Sequence, residues 1–308
     1  MKRKMLKGLL ILAAAIGWGA CQENPSTRLI TGRIPVSGGG ELYYEEQGSG
    51  EPLLLLHGHS LDRRMWDRQF DIFAEHYRTI RLDFRGYGLS SDQDETLPFT
   101  HMEDLLTLMD SLGIDRAHIV GLSMGSFIGG DLLAMHPERI RSCVLASGGI
   151  RSTPGPHVPV DSAEAARRDR EIAELKAKGV EAMKAEWLET LMASGGSRRE
   201  EMREPLRQMI ADWSAWQALH KEVRLYWGQE AWAALKEQCP EVPTLMVRGA
   251  NDYRRTEPYH PNELDYLPNG RAVLLPDCGH MLNMEQPEAF NRMVLEFLAE
   301  HSEAPEAD

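Results

Sequence analysis

The chain has 308 residues, 42% of them hydrophobic and 7% aromatic, enough for one large domain with an insertion or for two small ones. Its formal net charge is −13, from 47 acidic against 34 basic residues, and no arginine-rich run offsets it. That balance disfavours nucleic acid and anionic membrane surfaces as partners.

Lys2, Arg3, Lys4 and Lys7 lead into an apolar stretch from Gly8 to Ile16 that is too short to span a bilayer. Residues 1–20 therefore read as an export signal, and their loss makes the chain more acidic still. The stretch closes Gly17-Trp18-Gly19-Ala20-Cys21. Small residues before a cysteine resemble the lipobox of bacterial lipoproteins. The resemblance implies an acylated Cys21 as mature N-terminus, a lipidated tether over 21–28, and a place in the bacterial cell envelope. Trp18 departs from the family pattern, which has an aliphatic residue there, and leaves secretion or periplasmic release as the alternative. No later segment holds the ~18 apolar residues of a membrane helix. With Cys21 taken, Cys143, Cys239 and Cys278 remain, so at least one is unpaired within the chain.

Residues 29–47 read as two strands joined by Ser37-Gly38-Gly39-Gly40, with Leu42-Tyr43-Tyr44 strongly β-favouring. Pro52–Leu56 is a short apolar run ending in His57-Gly58, the pattern of a strand buried on both faces. A helical stretch follows, with Met65, Trp66, Phe70, Ile72 and Phe73 as its apolar positions. A strand at 79–83 runs into the turn-rich Arg85-Gly86-Tyr87-Gly88. A helix at about 100–112 carries Leu105, Leu106, Leu108, Met109 and Leu112, and Gly113 is its natural stop.

The strand at 117–122 leads into Gly121-Leu122-Ser123-Met124-Gly125 and then a helix-like segment. Strand, Gly-x-Ser-x-Gly, helix is the context of a nucleophile elbow. Cβ atoms at Gly121 and Gly125 would collide with neighbouring backbone in so sharp a turn, and the serine hydroxyl is left where a base can reach it.

Another strand at 141–147 ends in Gly148-Gly149, followed by a Pro- and Gly-rich loop over 151–159. From Asp161 to Gln238 the chain is helical in character and holds Trp187, Trp213, Trp216, Trp227 and Trp232. Strands return at 242–248 and 272–275, and a last helix spans roughly 287–300. Alternating strands and helices predict a mainly parallel sheet covered on both faces, with 151–240 inserted as a helical cap between core segments 29–150 and 241–301. As parallel neighbours, the last two strands place Cys239 and Cys278 at opposite ends, roughly 20 Å apart. No bridge between them is expected. A Cys143–Cys239 pair stays open.

Five markers in order resemble the α/β-hydrolase family over about residues 29–300. They are His57-Gly58, Asp83-x-Arg85-Gly86-x-Gly88-x-Ser90, the elbow, Gly249-Ala250-Asn251-Asp252, and Gly279-His280 with Glu285-x-Pro287. The resemblance implies an eight-stranded type of sheet and a serine hydrolase that needs no cofactor. Its substrate would be a small-molecule carboxylic ester or related acyl compound. Ser123 would be the nucleophile and His280, after the last strand, its base. Asp252 would hold the histidine tautomer, since the alternative acid position after the preceding strand reads Gly148-Gly149. The backbone N–H groups of Met124 and His59 would form the oxyanion hole.

Other readings compete. His260 is the nearest rival base. His118 lies in a strand, His76 and His136 near helix ends, and His157 in the loop entering the cap. His57-x-His59 with Asp62 invites a metal, yet the spacing is wrong and no third ligand is evident. The cap tryptophans serve as core, with one or two reaching the pocket. Lactone or C–C bond hydrolysis, acyl transfer and perhydrolysis share the same triad. A ligand-binding sensor is the reading from another class.

Overall fold

The alternation of residues in short apolar runs decides which side chain meets which layer. In the computed structural model, described over residues 28–94, 96, 97, 99–150, 162–220, 227–252 and 263–303, the run Pro52–Leu56 forms a central strand. Leu53 and Leu55 enter one hydrophobic cluster and Leu54 and Leu56 the other.

The first half of the chain contains β1 (Ile30–Pro35), β2 (Glu41–Gln47), β3 (Pro52–Leu56), α1 (Phe70–Ala74), β4 (Arg78–Leu82), α2 (His101–Ser111), β5 (Ala117–Leu122), α3 (Met124–Met135) and β6 (Ile140–Ala146). After it come α4 (Ser162–Lys178), α5 (Val180–Ala193), α6 (Arg199–Asp212), α7 (Trp216–Leu219) and α8 (Gln229–Gln238). The chain then returns to the sheet through β7 (Thr244–Gly249) and β8 (Gly270–Leu275), and closes with α9 (Leu282–Glu285) and α10 (Pro287–Ala299).

The strands form one eight-stranded sheet of order β1-β2-β4-β3-β5-β6-β7-β8. β2 pairs antiparallel with β1 and β4, while β3 to β8 run parallel. One face carries α2, α3 and α8, whose Leu105, Ile128, Leu132 and Leu235 pack with Leu54, Ile119 and Leu145. The other carries α1 and α10, whose Phe73, Phe290 and Val294 pack with Leu53, Val120 and Val144. Both faces of β5 are buried, as its continuous apolar run requires.

Local signals act where expected. Thr100 caps α2 by accepting from the Glu103 amide, and Gly113 ends that helix region at φ +65°. The helix expected around 65–73 is shorter: Arg63–Trp66 form a 3-10 turn, only Phe70–Ala74 are α-helical, and Ile72 is exposed. Asp62 is the reason, since its carboxylate caps the turn at Arg64 and starts a separate element.

The helices between β6 and β7 divide. α8 lies on α3, where Gln238 donates to the Ala134 carbonyl. α5 to α7 instead reach the loops after β3, β4 and β8, at the carboxyl ends of the strands. Cys143, Cys239 and Cys278 are all free thiols. β7 and β8 run parallel, so the two cysteines expected to be far apart do lie at opposite strand ends. Among the described residues no helix is long and apolar enough to cross a membrane. Cys21, residues 1–20 and the tether up to Thr27 lie outside the described residues.

Candidate active site

Ser123 follows β5 at the N-cap position of α3 with φ +53° and ψ −111°, backbone that a side chain adopts only under constraint. The two flanking glycines supply it. A Cβ on Gly121 would overlap the Gly125 carbonyl, and one on Gly125 would overlap the Leu56 carbonyl, so the turn closes only without them. The Ser123 amide donates to Ala146 at 2.8 Å, tying the elbow to the end of β6.

That same strand end holds the histidine loop. Ser147 Oγ donates to the His280 carbonyl at 2.8 Å. The His280 ring is buried, and its Nδ1 lies 3.0 and 3.1 Å from the two carboxylate oxygens of Asp252. A carboxylate accepts only, so Nδ1 carries the proton and Nε2 is left as the basic nitrogen. Asp252 is itself buried, in a turn held by its amide to Gly249 and by Asn251 to the Cys278 carbonyl.

The loop after β3 lies against the elbow: a Cβ on Gly58 would stand 3.6 Å from Ser123 Cβ. Its neighbour His57 is fully buried and fixed. Nε2 accepts from the Phe84 amide at 2.9 Å, so Nδ1 is the donor to the Gly58 carbonyl at 2.8 Å. Burial holds its pKa below the usual histidine range. Both ring nitrogens are spent, and Asp62 is ion-paired to Arg64, which removes the donor set on which a metal reading depends. The His59 ring meets Tyr87 Oη at 2.7 Å through Nδ1.

The competing histidines are elsewhere. His118 is buried in β5 between Ser142 and Glu51, and burial lowers its pKa. His76 is exposed, and His136 pairs with Glu138 at 3.2 Å. His157 and His260 lie outside the described residues.

The sequence profile of the α/β-hydrolase fold matches residues 51–287. The chain belongs to that family. A putative non-heme bromoperoxidase of Mycobacterium tuberculosis is 30% identical over 268 residues, spanning 84% of this chain and 97% of the relative. A 2-hydroxy-6-oxononadienedioate/2-hydroxy-6-oxononatrienedioate hydrolase of Burkholderia vietnamiensis is 29% identical over 274 residues, 83% of this chain and 90% of its own. Among solved structures, a malate-bound thermophilic esterase from Thermogutta terrifontis superposes with a TM-score of 0.68 at 26% identity, covering 89% of this chain and all of that one.

In this α/β-hydrolase the cap tryptophans separate by role. Trp187 and Trp213 place their rings 6.3 and 5.1 Å from that of His59. Trp187 Nε1 donates to Ser60 Oγ at 2.6 Å, and Ser60 Oγ donates to the His59 carbonyl at 2.5 Å. Ser60 has φ +62°, so the residue after His59 combines left-handed backbone with a hydrogen bond to a cap side chain. Nothing in the sequence marks Ser60 or pairs it with Trp187, 127 residues away.

A second feature escaped the sequence. The end of β6, which reads Gly148-Gly149 without an acid, does receive a carboxylate, that of Glu263. Its Oε1 accepts from the Ile150 amide at 2.8 Å, and a Cβ on Gly149 would stand 2.5 Å from the same oxygen. Burial pushes this carboxyl up to about 7. The carboxylate on His280 remains that of Asp252.

Proposed function

We propose that Ser123, His280 and Asp252 act as nucleophile, base and acid in the hydrolysis of a carboxylic ester or related acyl bond. The observation that carries this reading is the pair of 3.0 and 3.1 Å contacts fixing the His280 tautomer, on a loop that shares the end of β6 with the strained Ser123. His280 Nε2 takes the Ser123 proton as Oγ attacks the acyl carbon, and Nδ1–H stays bonded to Asp252, which stabilises the imidazolium. The oxyanion formed accepts from the amides of Met124 and His59. His280 then passes its proton to the leaving alkoxide, and water, deprotonated by the same nitrogen, releases the acid and regenerates Ser123.

Lactone hydrolysis, C–C bond hydrolysis, acyl transfer and perhydrolysis use the same groups and differ in pocket shape. A screen over short- and long-chain esters and lactones assigns the substrate class. Ser123→Ala abolishes turnover in a folded protein, and a fluorophosphonate probe labels the wild type at Ser123 alone. Labelling at another residue, or an active alanine variant, overturns the assignment.

We further propose that the mature chain begins at an acylated Cys21 and is held at a bacterial membrane. The basic, apolar and small-residue order of residues 2–21 supports it. The full chain then fractionates with membranes and Cys21→Ser releases it. Recovery of an unacylated wild type wholly in the soluble fraction, read by mass spectrometry, reduces the proposal to ordinary export.

A further inference from the structure

The histidine loop is gripped from a side that the reaction scheme does not use. Glu285, at the end of α9, is fully buried. Its Oε2 accepts from the Gly279 amide at 2.7 Å, one residue before His280. Its Oε1 accepts from the amide of Gly196, in the turn between cap helices α5 and α6. Beside it, Asp277 accepts from the Ser197 amide at 2.9 Å and from the Ser197 hydroxyl. The two backbones touch directly. A Cβ on Gly196 would overlap the Asp277 carbonyl, and one on Gly279 would stand 2.8 Å from the Ser194 carbonyl and 2.9 Å from Gly195 Cα. On its far side the same loop lies against the acid turn, where a Cβ on Gly249 would overlap the Gly279 carbonyl. Cap turn, histidine loop and acid turn thus form three stacked backbones.

We propose that Glu285 is a positioning residue that locks the α5–α6 turn of the cap onto the His280 loop, so that the cap sets the place of the base. The proposal rests on His280 being that base. The residue type follows from the geometry. Two amides donate to Glu285, one to each oxygen, and a carboxylate accepts at both. A glutamine accepts at one end only and turns its NH₂ toward the other amide, leaving a buried donor without an acceptor. An aspartate is one methylene short of spanning the gap. At this end the cap is part of the catalytic framework.

The test compares Glu285→Gln with Gly196→Ala, which wedges the same two backbones apart and leaves the carboxylate in place. Each variant is measured at a temperature where circular dichroism shows it folded. With p-nitrophenyl butyrate as probe, kcat falls about 10- to 100-fold, the loss expected for a misplacement near 1 Å. KM stays within about threefold, because the ground-state contacts are untouched. The rate of fluorophosphonate labelling at Ser123, which also needs the base, falls in parallel with kcat, and the double variant loses little more than either single one. Lowered melting temperatures with wild-type kcat and labelling rates overturn the proposal and leave Glu285 a structural residue. If Glu285→Gln does not fold, Gly196→Ala alone decides on the same two readouts. If the wild type turns over no ester yet is labelled at Ser123, the ester reading has failed, and the labelling rates still test the clamp.

Discussion

At the residue scale, the proposed chemistry turns on the tautomer of His280. Asp252 accepts from Nδ1, and that makes Nε2 the basic nitrogen of the ring. Asp252→Asn preserves the shape and reverses the logic, because the amide NH₂ donates to Nδ1 and drives the proton to Nε2. We expect kcat to fall on the order of 10⁴-fold with the fold intact, as steady-state assays beside a melting curve will show. Near-wild-type rates in this variant, with a crippled variant of Asp265 or of Glu257, an acid after β7 that lies outside the described residues, would move the acid elsewhere. Asp265, another acid of that region, is exposed and gives no reason to replace Asp252. Ser60 shares the positive φ of Ser123 in a different setting. Ser123 lies in a turn closed by close backbone packing, whereas Ser60 carries a hydrogen-bond chain from the cap.

At the element scale, the end of β6 is the junction of the site. It carries the Ser123 amide on Ala146, the His280 carbonyl on Ser147, and Glu263 on Ile150 where the chain leaves toward the cap. Glu263 begins the 3-10 turn Glu263–Tyr266, so one carboxyl pins two loops together. Burial favours its protonated form, opposed only in part by the Ile150 amide and the charge of Arg248. The folded chain therefore binds more protons here than the unfolded chain between the usual glutamate pKa and about 7, and this group's contribution to stability falls as pH rises across that window. Glu263→Gln keeps an acceptor for Ile150 and removes the cost of ionisation. The variant should match the wild type near pH 4 and be more stable by roughly 1–3 kcal/mol at pH 8, read by denaturant titration at both pH values. A difference independent of pH would show that Glu263 is not the titrating group.

At the scale of the whole molecule, the cap is tied down on both walls of the site. Trp187 holds the loop after β3 through Ser60, Gln217 donates to the Gly86 carbonyl after β4, and Glu285 with Asp277 holds the histidine loop. Arg64 links the first loop to Asp212 of α6 at 2.9 Å.

The sequence alone determined what local sterics and periodicity dictate. The apolar runs of β3 and β5 read as strands buried on both faces, and Gly121 and Gly125 read as the walls of a sharp turn; in the structure both strands are buried and a Cβ at either glycine has no room. Asp252 and His280 were legible as chemistry-bearing residues in loops after strands, and so was their order in the chain. What tertiary structure decided are contacts between residues far apart in sequence that no periodicity encodes. Glu263 fills the end of β6 from 113 residues away, and Glu285 reaches Gly196 across 89. Trp187, rather than Trp216, became the partner of the loop after β3 because α5 brings it to Ser60. Those pairings depend on where a helix lies in space, and side-chain identity fixes that only through the packing of the whole chain.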